Sequence, residues 1–289
     1  MIDGQTRLLG LIGNPVEHTL SPVIHNNLAP ANHINAVYVP FHVADGNLRA
    51  AVLGAYALNV LGLNVTVPYK TDVVDSLVDI DPLAKKIGAV NTLVRTEGGY
   101  KGYNTDMPGL YRAMECDGVK LSEHPVLILG AGGVARAVAI MLADKGVEEA
   151  YILNRSVEKA QAVAQEANAF AGRPFLKAMA ISEWEQLPCD RKYLAIQATS
   201  VGMHPHVEEA IIEEEAFYRL LSVGYDIVFN PFETKFMRLC AKAGAESYNG
   251  LKMLLYQGVI AFELWTGETI TDSLACEVYK KMLEAISQK

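Results

Sequence analysis

Val126-Leu127-Ile128-Leu129-Gly130-Ala131-Gly132-Gly133-Val134-Ala135 is a short apolar run that passes directly into a glycine-rich turn and then into small, helix-compatible residues. An unbroken apolar run of that length fits a strand buried on both faces of a parallel sheet. Glycines at 130, 132 and 133 allow a tight turn and close backbone approach. The free amides and dipole at the start of the following helix, expected over Val134 to Lys145, favour a pyrophosphate. The stretch therefore reads as the G-x-G-x-x-A form of the dinucleotide fingerprint in a strand-turn-helix setting, which is far stronger than glycines alone. Its expected cofactor contacts are Gly130, Ala131, Gly132, Gly133, Val134 and Ala135. The plainer alternative is a strand-to-helix turn that binds nothing.

On both sides of this stretch, short β-branched or apolar runs alternate with longer helical patterns. The expected strands are Leu8 to Ile12, Val37 to Phe41, Leu61 to Val65, Val126 to Leu129, Ala150 to Leu153, Tyr193 to Ile196 and Tyr225 to Phe229. That alternation predicts an α/β architecture with parallel strands. Gly98-Gly99-Tyr100-Lys101-Gly102 closes a first block, and Asp106 with Pro108 then opens a helix carrying Leu110 and Met114. The second block runs to Asn249-Gly250, and Leu251 to Trp265 and Ile270 to Ser287 read as two helices that pack back on the first. Residues 1–105 plus 251–289 are thus expected to form one α/β domain, and residues 106–250 a Rossmann-type, doubly wound dinucleotide-binding domain.

Composition narrows the function. The 289 residues are 51% hydrophobic, enough for two modest cores. A formal net charge of −8 with no basic run argues against a nucleic-acid partner. Four cysteines (Cys116, Cys189, Cys240, Cys276) stand singly, so neither a zinc site nor a redox dithiol is expected, and they read as reduced thiols in a cytoplasmic protein. Met1 to Arg7 lack a charged region followed by a long apolar run, and no segment has the length of a membrane span. His204 and His206 flank Pro205, with no third metal ligand in view.

Three further motifs give the chemistry its shape. Asn64-Val65-Thr66-Val67-Pro68-Tyr69-Lys70 is a strand-like run ending at a proline-started helix that presents a lysine. Gly102-Tyr103-Asn104-Thr105-Asp106 places a carboxylate at the start of a helix, where it would otherwise serve as an N-cap. The strand Ala150 to Leu153 ends in Asn154-Arg155-Ser156 rather than in the acidic residue that NAD-selective folds place against the adenosine ribose. A guanidinium there can pair with a 2′-phosphate, which favours NADP while leaving NAD possible.

Together with the glycine loop, these motifs resemble the shikimate dehydrogenase family, nearly from end to end of the chain. The resemblance implies reversible, NADPH-dependent reduction of 3-dehydroshikimate to shikimate, within aromatic amino acid biosynthesis. Ketone reduction needs a hydride donor, which the cofactor supplies, and an acid for the developing alkoxide. Lys70 and Asp106 are the catalytic candidates, and either one could carry the proton. By resemblance, Thr19 and Ser21 hold the substrate carboxylate, with His25 a turn further on, and Asn64, Thr66, Asn91 and Gln257 take the ring hydroxyls. Turn chemistry and capping are the plainer roles for such Asn, Ser and Thr residues, and Ser21 before Pro22 could do both.

On the cofactor side, Asn154, Arg155 and Ser156 are joined by Lys159 as a second cation. Gln197-Ala198-Thr199-Ser200-Val201-Gly202-Met203 is similar to the family loop beside the nicotinamide, so Thr199, Ser200, Gly202 and Met203 join the set, with Phe229 and Gly250. The chain departs from the family pattern at Thr19, where serine is usual, at Gln197, where asparagine is usual, and at Phe229, where a tyrosine gives a hydroxyl to the carboxylate end. Two of these changes bear on shikimate against quinate, so a quinate/shikimate dehydrogenase using NAD is one rival, and a dinucleotide sensor without chemistry is another. The expected partners are a small cyclic acid and at most a second copy of the chain as a homodimer, with no nucleic acid, membrane or metal.

Overall fold

The computed structural model describes residues 2–288, which divide into two compact units. One takes the chain up to Leu110 together with everything from Leu254 onward, and the other runs Tyr111–Met253.

The first unit is built on β1 (Arg7–Gly13), α1 (Ser21–Ala31), β2 (Ala36–His42), α2 (Leu48–Ala57), β3 (Gly62–Val65), β4 (Asp79–Ile80), α3 (Pro82–Ile87), β5 (Thr92–Thr96) and β6 (Gly99–Tyr103). Its strands lie in the order β2-β1-β3-β5-β6-β4. β1 pairs parallel with β2 and β3, but β5 runs antiparallel to both β3 and β6. The sheet is therefore mixed, not parallel throughout. The cause is local: Glu97-Gly98 makes a two-residue turn, and Thr96 pairs with Gly99 in a hairpin where the sequence suggests only the end of a block.

A second difference concerns the lysine motif. After β3 the chain does not enter an α-helix; Pro68 to Thr71 form turns, followed by a 3-10 helix at Asp72–Ser76. The turn is pinned by Tyr69, whose hydroxyl donates to Val43 O at 2.7 Å and to Asp45 Oδ1 at 3.2 Å. Beneath it lies a core of Ile12, Val52, Leu63, Val65, Val73, Val90, Leu93 and Tyr100.

The second unit begins within α4 (Asp106–Cys116) and continues through β7 (Val126–Leu129), α5 (Gly133–Asp144), β8 (Ala150–Asn154), α6 (Val157–Ala171), β9 (Leu176–Ala180), β10 (Tyr193–Gln197), α7 (Glu215–Tyr218), β11 (Leu221–Asp226), α8 (Lys235–Lys242) and β12 (Glu246–Tyr248). All its pairings are parallel, in the order β12-β11-β10-β7-β8-β9. This is the doubly wound order of dinucleotide-binding folds, with the reversal of direction falling between β7 and β10. β7 is buried at every residue, as its unbroken apolar run requires. The expected strand Tyr225 to Phe229 is displaced: β11 begins at Leu221 and ends at Asp226, whose carboxylate accepts the amide of Val228 and turns the chain.

The chain ends in α9 (Leu251–Thr266) and α10 (Asp272–Ser287), and from Leu254 onward it belongs to the first unit. α10 packs on α1, and Trp265 of α9 is buried with Leu9, Leu11 and Tyr38 of the first sheet. Its indole Nε1 donates to Leu93 O at 2.9 Å, so the buried ring meets its one polar requirement.

Candidate active site

In the first unit, Lys70 Nζ donates to Asp106 Oδ2 at 2.6 Å, with the two side chains 33% and 20% exposed. The pair is thus sheltered but open to a small molecule. Lys70 is fixed at its backbone, where its carbonyl accepts the Val90 amide at 2.8 Å. Asp106 is the first residue of α4 and does not cap it. That task falls to Asn104, whose Oδ1 accepts the amides of Asp106 and Met107 at 3.1 and 3.5 Å. The carboxylate is thereby released for other partners.

Its second oxygen is held by Asn91, whose Nδ2 donates to Asp106 Oδ1 at 2.9 Å. The orientation of that amide is forced: Asn91 Oδ1 accepts the backbone N–H of Thr105 at 2.8 Å, and a backbone amide can only donate. Thr92 and Thr105, both buried, add their hydroxyls to the same oxygen at 3.1 and 3.2 Å. Nothing in the sequence singles out these two threonines. Thr105 sits inside the quoted Gly-Tyr-Asn-Thr-Asp motif and Thr92 next to Asn91, and only the β5–β6 hairpin brings them together.

Asn64 is also engaged. Its Oδ1 accepts the Tyr38 hydroxyl at 2.8 Å, and its Nδ2 donates to Asn91 O at 3.2 Å and Thr92 Oγ1 at 3.1 Å. Its part in holding a ring hydroxyl is therefore restricted to the remaining lone pair of Oδ1. Thr66 is half-buried just past β3. Thr19 Oγ1 accepts the Ser21 amide at 3.2 Å and donates to Ser21 Oγ at 3.1 Å, so Thr19, not Ser21, meets the start of α1. Gln257 is buried in α9, with Nε2 donating to Leu254 O at 2.8 Å.

His25 of α1 is a different kind of group. Its ring stacks on Tyr38 at 4.2 Å and tilts against Trp265 at 5.0 Å, and neither ring nitrogen has a hydrogen-bond partner. Burial pushes its pKa down to about 3, with Asn64 opposing the shift, so the ring is neutral.

In the second unit the glycine loop leaves β7 with Gly130 at φ +108, and a Cβ there would lie 2.4 Å from Thr199 Cγ2. Only glycine satisfies both the conformation and the contact. Gly132 and Gly133 are exposed, with nothing within 4 Å of where a Cβ would stand, whereas Ala131 is half-buried, Val134 39% exposed and Ala135 buried. Open space therefore lies along the backbone where α5 begins, as a pyrophosphate would require.

At the end of β8, Asn154 Nδ2 donates to Ser156 O at 2.8 Å, and Ser156 Oγ caps α6 by accepting the Lys159 amide at 3.4 Å. Arg155 and Lys159 are exposed. This set suits a phosphate on the adenosine ribose. The loop after β10 is braced by Gln197, whose Oε1 accepts Thr199 N and Oγ1 at 2.6 and 2.8 Å and whose Nε2 donates to Val201 O at 3.0 Å. Ser200 and Met203 are exposed and Gly202 is buried. Phe229 lies half-buried in the irregular segment after β11, not on a strand. That segment is held by Gly250, whose amide donates to Val228 O at 3.0 Å; a Cβ on Gly250 would lie 2.0 Å from Ile227 O.

Asp226, which no sequence motif marks, is fully buried at the end of β11 and receives Thr234 Oγ1 at 2.7 Å and the Val228 amide at 2.9 Å. Burial pushes its pKa up to about 7 despite these bonds. Among the described residues there is no cluster of three or more metal-ligating side chains, and no helix is long and apolar enough to cross a membrane.

Family models cover both units. The shikimate dehydrogenase substrate binding domain matches residues 11–93, the shikimate / quinate 5-dehydrogenase model residues 113–183, and the shikimate 5′-dehydrogenase C-terminal domain residues 250–270. A shikimate dehydrogenase (NADP+) of Bacillus cereus is 43% identical over 91% of this chain and 94% of its own. The chain belongs to the shikimate dehydrogenase family. A shikimate dehydrogenase solved in complex with NADP+ superposes with a TM-score of 0.87 at 36% identity, covering 99% of this chain and 98% of its own. The shikimate 5-dehydrogenase of Listeria monocytogenes, solved with shikimate and NAD, gives 0.86 at 33% identity, covering 96% and 97%. Against this family, the two-domain α/β fold with a Rossmann-type half expected from sequence is the fold found.

Proposed function

We propose that this chain catalyses the reversible NADPH-dependent reduction of 3-dehydroshikimate to shikimate, a step in aromatic amino acid biosynthesis. The observation that carries the assignment of chemistry is the contact of Lys70 Nζ with Asp106 Oδ2 at 2.6 Å, with Asn91 on the other carboxylate oxygen. When bound, the nicotinamide supplies the hydride to the ring carbonyl carbon. Whichever of the two carries the proton, the Lys70 ammonium or an Asp106 carboxylic acid, donates to the oxygen and passes that proton to it as the alkoxide forms; in the oxidation direction the pair takes the proton back. Asn91 keeps the carboxylate from rotating away from the ammonium.

On this reading the first unit binds substrate, with Thr19, Ser21, Asn64, Thr66 and Gln257 as further contacts. The second binds NADP through the glycine loop, Asn154 to Ser156 and Lys159, with Thr199 to Met203, Phe229 and Gly250 at the nicotinamide end. The protein works in the cytosol, with no nucleic-acid partner, and as a monomer or homodimer. The test is direct: NADPH absorbance falls when 3-dehydroshikimate is added, and dinucleotide binding without turnover would refute the enzyme. A quinate activity with NAD is the second reading, favoured by Phe229, which lacks the hydroxyl usual at its position; kinetics with both acids and both cofactors separate the two.

A further inference from the structure

Gln197 and Asp226 are the last residues of adjacent parallel strands and are partners in register, and Gln197 also pairs in register with Leu129, the residue before Gly130. Gln197 stands at the reversal of strand order, where open α/β sheets bind their ligands, and Asp226 lies one strand further out. Their side chains meet: Gln197 Nε2 donates to Asp226 Oδ1 at 3.2 Å. Both are buried, with 1% and 0% exposure, so neither can touch a bound dinucleotide directly.

What they hold is the surface that can. Gln197 accepts the amide and hydroxyl of Thr199 and donates to Val201 O, and Thr199 Oγ1 in turn accepts the Val201 amide at 3.1 Å. Thr199 is pressed against Gly130, leaving no room for a Cβ there. On the other side, Asp226 takes the Val228 amide and the hydroxyl of Thr234, and Thr234 Oγ1 caps α8 by accepting the Met237 amide at 3.3 Å. This buried amide-carboxylate contact, beside the backbone bond from Ile227 N to Gln197 O at 3.2 Å, ties together the loops that follow β10 and β11, and its Thr199 branch bears on the glycine loop.

We infer that Gln197 and Asp226 are a positioning pair for the dinucleotide, setting the Thr199–Met203 loop against Gly130 and so controlling how tightly the cofactor is held. The inference rests on the reading that this unit binds NADP. Gln197 has a specific part in it: its amide both accepts from Thr199 and donates to Asp226. Gln197→Met keeps the length but can neither accept from Thr199 nor donate to Asp226, so both arms of the link are lost, whereas in Gln197→Glu two carboxyls buried against each other share a proton and can still bond.

The test titrates NADPH against the parent and Gln197→Met by fluorescence without substrate, and measures the KM for shikimate at saturating NADP+ and the Tm. Kd for NADPH is expected to rise about five- to tenfold, equivalent to about one net hydrogen bond felt through the loop, with the shikimate KM within about twofold of the parent. Gln197→Leu likewise removes both polar arms, and it decides the matter if the methionine variant does not fold. An unchanged Kd in the folded variant, or a lower Tm with Kd unchanged, overturns the inference, because either shows a contact that serves the fold alone. A parent that binds NADPH but does not oxidise shikimate refutes the assigned reaction and leaves the comparison of Kd standing. A parent that does not bind NADPH overturns both.

Discussion

Lys70 Nζ and Asp106 Oδ2 lie 2.6 Å apart, although the two residues are separated by 36 positions in the chain. The contact is made because the turn after β3 and the start of α4 are both fixed by backbone bonds to residues 90 and 91 or their neighbours. Lys70→Ala is expected to lower kcat by roughly 10²- to 10⁴-fold, the range of a general acid-base group, with NADPH affinity little changed. Asp106→Asn should also lower kcat steeply. Steady-state kinetics in both directions check this; turnover within a few-fold of the parent in Lys70→Ala removes the lysine as proton carrier.

Asn91 offers a sharper test of how the pair is oriented. In Asn91→Ala, Asp106 Oδ1 loses its donor and the Thr105 amide loses its acceptor. A hydrogen bond to a charged group contributes about 1.5 to 3 kcal/mol, so kcat/KM for shikimate should fall roughly ten- to a hundredfold. NADPH affinity, measured by fluorescence, should stay near the parent value. A loss shared equally by cofactor and substrate would mean that the substitution acts through the fold.

Arg155 is exposed beside the Ser156 cap of α6. If it meets the 2′-phosphate, Arg155→Ala should weaken NADP binding about tenfold and NAD binding hardly at all. The lower end of the range for a charged hydrogen bond applies, because solvent and salt screen an exposed guanidinium. Calorimetry with both cofactors gives the ratio, and equal losses would make Arg155 structural.

His25 predicts a pH effect on stability. Its pKa is about 3 in the folded protein against an ordinary 6.5, because burial disfavours the charged ring more than Asn64 supports it. The unfolded chain therefore binds more protons between those values, and stability from this group is full above about 6.5 and lost as pH falls toward 3. One proton sets the slope at no more than about 1.4 kcal/mol per pH unit. Asp226 acts in the opposite sense: raised from 3.8 to about 7, it favours the folded state less as pH climbs through that window. His25→Phe should keep the ring stack and flatten the acid limb of a urea-denaturation series. The same slope in parent and variant would show that His25 already takes up a proton when folded.

The sequence reads most clearly where structure is local. β7 and the glycine loop stand where the apolar run and the glycines place them, because a buried strand and a tight turn leave few alternatives. Tyr225 to Phe229 misleads for a related reason: Ile227, Val228 and Phe229 continue a strand-like pattern, but Asp226 folds its carboxylate onto the Val228 amide and ends the strand. Pro68 suits a helix start and so predicts a helix at Lys70, whereas Tyr69 is pinned by residues 24 and 26 positions away, which no local pattern shows. The Asn91 network is hidden for the same cause, since Thr92 and Thr105 meet only through the hairpin between them.

By the resemblance, Phe229 stands where a tyrosine is usual, and a phenylalanine cannot donate the hydrogen bond that a tyrosine gives. It is half-buried in the segment anchored by the bond from Gly250 N to Val228 O. If Phe229 faces the substrate carboxylate, the missing bond to a charged group, about 1.5 to 3 kcal/mol, leaves shikimate weakly held. Phe229→Tyr is therefore expected to lower KM for shikimate by roughly tenfold with kcat nearly unchanged, the pattern of binding added equally to ground and transition states. KM for shikimate and for quinate in parent and variant decides it. No change with either acid would mean that Phe229 does not face the substrate carboxylate, and improvement with quinate alone would move the substrate assignment to quinate.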